Sequence, residues 1–149
     1  MASSAGQQLI AGRIPGEEIA SDAATSNSSN FTTTEVTVHS VTAPLVEGRT
    51  YQVIADAQFA SNQDDDLVIA RIREDDVNGA QLRDHYVRIR GAGSTARGFS
   101  VYITAEYTAT ATGNKTFVLT ADRLLGSGTC FMEASADNPA FMKVNYLRG

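Results

Sequence analysis

The fold class this sequence predicts is all-β, an antiparallel sandwich of the jelly-roll type, and three observations lead there. From Phe31 onward apolar and polar residues alternate with period two, in runs rich in Val, Thr, Ile, Tyr and Phe. Turn residues punctuate the runs at Pro44, Glu47-Gly48, Asn78-Gly79, Gly91 to Gly93, Gly113-Asn114, Gly126 to Gly128 and Asn138-Pro139. No stretch reads convincingly as a helix, and no repeat recurs at the spacing of a solenoid or propeller. The chain has 149 residues, 42% apolar and 19% charged, the size of one domain. At that length folding removes roughly 68–70% of the unfolded surface, enough for a core without disulfide or metal staples.

Taken in order, residues 1–30 differ from the rest. They carry no aromatic residue, and Leu9, Ile10, Ile14 and Ile19 stand alone among Ala, Ser, Gly, Gln and Thr. Ser21 to Asn30 is almost wholly small and polar, which is linker chemistry. Such a segment buries too little surface to offset its ordering entropy. We therefore expect 1–30 to be an extended arm, with its four apolar residues suited to docking on a partner, and 31–149 to be the sandwich.

About eight strands follow. Val36 and Val38 alternate with Thr37 and His39; Tyr51, Val53, Ala55, Ala57 and Phe59 alternate with Gln52, Ile54, Asp56 and Gln58. Phe99 to Tyr107, Phe117 to Ala121 and Ala140 to Tyr146 repeat the pattern. Asn78-Gly79 is a strong hairpin signal. With those two residues as the turn, Glu74 faces Arg83 and Arg73 faces Asp84, both oppositely charged pairs. Val68, Ala70 and Ile72 then share a core face with His85, Val87 and Ile89. The other face gathers Arg71, Arg73, Tyr86, Arg88 and Arg90 beside Leu67 and Ile69. Arg and Tyr are enriched at interfaces, so these five residues are candidate interface residues. A solvated strand face with extended arginines is the plainer alternative.

Catalytic and cofactor signatures are not found. Gly91-Ala92-Gly93-Ser94-Thr95-Ala96 matches a dinucleotide pattern, but a new strand follows where a helix N-terminus is required. Asp64-Asp65-Asp66 and Glu74-Asp75-Asp76 bracket one strand and so lie about 26 Å apart, too far to share an ion. Glu74 to Gly79 resembles half of a calcium loop, yet His85 stands at the twelfth position where a bidentate Glu is needed. His39 has no acidic neighbour in sequence, His85 is poorly placed relative to Asp84, and Cys130 sits in a strand-like run as a small hydrophobe. We expect no catalytic residue, no cofactor and no metal. A single cysteine rules out an internal disulfide, and a net charge of -5 argues against nucleic-acid binding. The N-terminal residues lack the layout of a signal peptide, and no apolar run approaches the length that spans a bilayer, so membrane insertion is not expected.

Thr42-Ala43-Pro44-Leu45-Val46-Glu47-Gly48-Arg49-Thr50-Tyr51-Gln52-Val53 and, later, Ile103 to Gly113 followed by Asn114-Lys115-Thr116-Phe117-Val118-Leu119 resemble small jelly-roll virion proteins of tailed bacteriophages, particularly those of actinobacterial hosts. The resemblance covers roughly residues 9–149. It implies a short arm preceding a β-sandwich, assembly as a homotrimer on the particle surface, and the major capsid protein or other virion proteins as partners. It assigns no functional residues. The expected function is a non-enzymatic capsid decoration or head-fibre protein made in the host cytoplasm and anchored by its arm. The alternative is a minor tail protein or host-glycan adhesin with Tyr86, Tyr102 and Tyr107 as platforms, although the absence of tryptophan and 7% aromatic content weigh against sugar binding.

Overall fold

The computed structural model describes residues 14–91 and 97–149. Among them are nine strands: β1 (Glu18–Ala24), β2 (Val36–Leu45), β3 (Thr50–Ser61), β4 (Leu67–Glu74), β5 (Gln81–Arg90), β6 (Arg97–Thr108), β7 (Gly113–Leu125), β8 (Cys130–Glu133) and β9 (Ala140–Arg148). They form two antiparallel sheets packed as a sandwich. One runs β1-β9-β3-β6, with β8 taking over from β9 along the edge of β3; the other runs β2-β7-β4-β5. Strands adjacent in space are mostly distant in sequence, the double Greek-key order of a jelly roll. The sheets are joined at one corner, where Ile89 pairs with Gly98 and Arg90 with Arg97. On the far side β1 meets β2, where His39 Nε2 lies 3.0 Å from the Asp22 carbonyl and 3.4 Å from Asp22 Oδ1.

Alternation decides what is buried. Tyr51, Val53, Ala55, Ala57 and Phe59 of β3 point inward and meet Val68, Ala70 and Ile72, Phe117, Leu119 and Ala121, and Met142 and Val144. All of these are essentially inaccessible, and each large side chain contributes roughly 1.5–3 kcal/mol of transfer free energy. One edge-on ring pair, Tyr107–Phe117, bridges the two sheets; Tyr51–Tyr146 joins neighbouring strands β3 and β9, and Phe31 packs edge-on against Phe59 of β3. In β2 the period slips at a bulge between Thr37 and His39. Past it, Val41, Ala43 and Leu45 face the core.

Three expectations are corrected. Residues 18–24, assigned to the arm, form β1 and pair with β9 from Asn145 to Ala140. The rest of the supposed linker is tied down as well: Ser28 N donates to Met132 O at 3.0 Å, and Asn27 Oδ1 accepts from Ala134 N at 3.0 Å. Second, the hairpin register is offset by two. Arg71 pairs with Asp84 and Ile72 with Arg83, because the loop spans Asp75 to Gly79 and closes at Glu74 N to Ala80 O, 3.0 Å. Asp75 adopts φ 63°, and the Asp76 carboxylate accepts from Asn78 N at 2.8 Å, an Asx-turn that lengthens the loop. An offset of two preserves the faces, so the inward set is as read, except at the third point. His85 pairs with inward-facing Ala70 yet is exposed, because β5 borders the gap where the sheets part.

Candidate interaction surface

The five residues read as one Arg/Tyr face divide into two groups. Arg71 and Arg73 are consumed by folding. Glu35, just before β2, takes Arg73 in a fork, with Nε 2.7 Å from Oε1 and Nη2 3.1 Å from Oε2. Arg71 pairs with Asp122 of β7 and lies 3.4 Å from Glu35 Oε1, while Thr120 Oγ1 donates to Glu35 at 2.5 Å. The four charged side chains are only 13–21% exposed. Burial alone would raise the Glu35 carboxyl; hydrogen bonds from Arg73 and Thr120 and the charge of Arg71 outweigh it and hold it below its ordinary value. These arginines are a structural network, not a free contact surface.

Tyr86, Arg88 and Arg90 remain accessible. They line a cleft of about 360 Å³ with His85, Val87, Ser100 and Val101. The cleft exists because β5 and β6 pair only at the corner and then part into different sheets. Arg88 and Arg90 both reach Asp65 Oδ1, at 3.0 and 2.9 Å, and Asp65 sits in the left-handed region at φ 68°. Tyr86 is 54% exposed. Leu124 and Leu125, which the sequence reading did not single out, are exposed near this end of the sandwich, Leu125 pairing with Leu67. Their signal was two adjacent leucines running into Gly126, out of step with the alternation. Replacing Arg88 and Arg90 together by alanine is expected to change the unfolding free energy by under about 1 kcal/mol, as for exposed ion pairs, which thermal melts would check.

The other expected sites fall as follows. Leu9 and Ile10 lie outside the described residues; Ile14 is exposed and Ile19 packs against the core. Residues 14–17 run beside the end of β9, with Gly16 N donating to Tyr146 O at 2.7 Å. The N-terminal segment therefore approaches the sandwich at the end carrying the β2–β3 and β6–β7 loops, opposite the Arg88–Asp65–Arg90 cluster. Tyr107 is no platform: its ring packs edge-on against Phe117 and lies under Lys115 Nζ at 5.6 Å. Tyr102 is 60% exposed.

The acidic runs are divided among separate tasks. Asp64 accepts from Gly91 N, Asp65 binds the two arginines, and Asp66 is buried. Lys115 holds Glu74 and Asp75 at 3.0 and 2.9 Å. Among the described residues no three His, Cys, Asp or Glu side chains gather as a metal site. Cys130 is inaccessible; burial first, then the neighbouring Asp66 carboxylate, push its thiol up to about 11, so it is not a ready nucleophile. No helix among the described residues is long and apolar enough to cross a membrane.

No protein-family profile matches the chain, and no curated protein matches it in sequence. Among solved structures it is similar to Eiger TNF from S. frugiperda, with 10% identity, 90% of this chain and 94% of that chain covered, and a TM-score of 0.55. Weaker likenesses are to infectious bursal disease virus, Gx strain (9% identity, 85% of this chain and 31% of that chain, TM-score 0.48), and to the CBM22-1 xylan-binding domain of Paenibacillus barcinonensis Xyn10C (6% identity, 91% and 97%, TM-score 0.39). At such identities the likeness is one of fold alone: the chain is a jelly-roll sandwich.

Proposed function

We infer that this chain is a non-enzymatic structural protein of a bacteriophage virion, a homotrimeric jelly roll that decorates the capsid as a decoration or head-fibre protein. The observation that carries this reading is the polarity of the domain. Residues 14–17 and the end of β9 lie together at one end, next to Tyr146, while the Arg88–Asp65–Arg90 cluster and exposed Leu124 and Leu125 occupy the other. Such a body docks through one end and projects the other. The major capsid protein is the partner for the anchoring end, and the particle surface is the location.

Native mass spectrometry of the chain at two concentrations, with co-sedimentation on phage heads, tests this. A stable trimer that binds heads supports it; a monomer at both concentrations that never sediments with heads overturns it. Removing residues 1–13 is expected to leave the melting temperature unchanged and to abolish attachment. Removing 1–30 is expected to lower stability by about 2 kcal/mol or more, because it strips β1 from β9 and deletes the Ser28 and Asn27 contacts. Equal stability of the two truncations would refute the placement of β1 in the folded body. A minor tail protein or host-glycan adhesin is the second reading, favoured by the exposure of Tyr86 and Tyr102.

A further inference from the structure

The outward face of the β1-β9-β3-β6 sheet carries an arrangement that neither the docking role nor the fold uses. Asp56, central on β3, lies directly opposite Tyr102 of β6 on one side and Phe141 of β9 on the other. Directly paired residues project to the same face, so a carboxylate stands between two aromatic rings, each one strand spacing away, about 4.8 Å. Tyr102 is 60% exposed. Phe141 is half-buried, with Lys143 Nζ 4.8 Å from its ring centre and 3.5 Å from Glu18. Two residues along β3, Ile54 also points outward yet is only 6% exposed, because the neighbouring side chains lie over it.

Asp56 is the unusual member. It is half-buried, and among the described residues nothing donates to its carboxylate; burial alone raises its pKa. A partly desolvated carboxylate without a protein partner keeps both oxygens free to accept from a ligand. What would complete it is a ligand bringing two adjacent donors to its two oxygens and an apolar face to the Tyr102 ring. The flanking positions on the same face, Gln52, Gln58, Ser100 and Thr104, add uncharged amides and hydroxyls, with the Lys143–Glu18 pair on the Phe141 side and Glu106 opposite Gln52. That combination of stacking ring, acceptor pair and polar rim is complementary to a pyranose, whose ring hydrogens form an apolar face and whose vicinal hydroxyls donate in parallel.

We propose that Tyr102, Asp56 and Phe141 form a saccharide-binding site for a neutral pyranoside on this sheet, with Tyr102 as the stacking platform and the Asp56 carboxylate as the acceptor of a vicinal diol. The site is independent of the capsid-docking role, since it lies on a sheet face and not at the anchoring end, and it deepens the glycan-binding reading by giving it one location.

The test is titration of the full chain with cellotetraose, chitotetraose and maltotetraose, followed by amide NMR shifts, for the wild type and for Tyr102→Ala, Asp56→Asn and Arg83→Ala. Saturable binding of at least one probe is expected, with shifts centred on β3, β6 and β9. Tyr102→Ala and Asp56→Asn should each weaken it by about tenfold or more, and Arg83→Ala, at an exposed position of the opposite sheet, should leave it intact. Asp56→Asn should be no less stable than the wild type, because it removes an uncompensated charge; its melting curve therefore separates lost binding from lost folding. Three results overturn the proposal: no saturation with any probe, binding untouched by Tyr102→Ala or by Asp56→Asn, or displacement by tetramethylammonium in place of sugar, which would assign the site to an ammonium ligand. Head co-sedimentation by the same variants keeps failure here distinct from failure of the docking role.

Discussion

Replacing Asp66 by alanine is expected to lower the unfolding free energy by about 4 kcal/mol, read from urea denaturation. The side chain is 1% exposed and serves as the post around which the β7–β8 turn is wound. Its Oδ2 accepts from Ser61 Oγ at 2.5 Å, and its Oδ1 from Ser127 N at 3.0 Å and Gly128 N at 3.2 Å. Gly126, at φ +104°, and Gly128 approach so closely that a Cβ on either would overlap this carboxylate. Alanine would leave the buried Gly128 amide and the part-buried Ser127 amide without acceptors, each a loss of roughly 1–3 kcal/mol, and would leave the Ser61 hydroxyl with Thr129 O as its acceptor. For a chain of this size that corresponds to a fall in Tm of roughly 8–16 °C. Asp66→Asn keeps the volume and should fall between. A loss below about 1 kcal/mol in the alanine variant would mean that water substitutes freely and the turn is not organised by the charge.

The same carboxylate gives the protein a particular acid response. Burial would raise the Asp66 carboxyl, but the Ser61 hydroxyl, the Gly128 and Ser127 amides and the charge of Arg123 together hold it below its ordinary 3.8, as the arginines hold Glu35 below 4.5. A carboxylate more acidic in the folded state than in the unfolded chain stabilises fully above the unfolded value. That stabilisation disappears as pH falls through the folded value. Stability from these two groups should therefore be level at neutral pH and drop below about pH 4, with a shallower drop in Asp66→Asn.

How much of this was legible depends on the range of the interactions. Period-two patterning is local, and it marked the buried sets of β3, β4, β7 and β9 and, on β6, Val101, Ile103 and Ala105, because one buried face is the condition every sandwich strand must meet. It missed β1, whose Glu-Ile-Ala-Ser-Asp-Ala-Ala holds one β-branched residue and pairs along one edge only, against β9. The Asn78-Gly79 turn was misjudged by two residues, since Asp75 and Asp76 each have a conformation that a dipeptide rule ignores. Side of strand was readable; cover was not. Nothing in the β4–β5 hairpin announces that a glutamate 38 residues before Arg73 will fold over it. The same limit hid Asp56, whose significance lies in the two strands beside it, β6 and β9, both distant in sequence.

Glu35→Ala is expected to destabilise by about 3 kcal/mol, the second largest effect, because it removes the one group shared by Arg71, Arg73 and Thr120. Breaking one side of a largely desolvated ion network leaves the other side's charge uncompensated, which is worse than losing the attraction itself. Asp122 would still pair with Arg71, so Arg73 carries most of the penalty. A cycle with Arg73→Ala should then show a coupling of about 1–3 kcal/mol, and the double variant should be little worse than Glu35→Ala alone. The bearing on function is direct. Glu35 lies in the connection from β1 to β2, so this network helps hold that connection against the outer face of the sheet that contains β4 and β7. Native mass spectrometry of Glu35→Ala adds a second readout, for in this account the freed arginines gain no ordered partner and self-association is no stronger than in the wild type. Wild-type stability in Glu35→Ala would overturn the network and return Arg71 and Arg73 to the set of free surface cations, and with them the interface role that their spacing on β4 predicts.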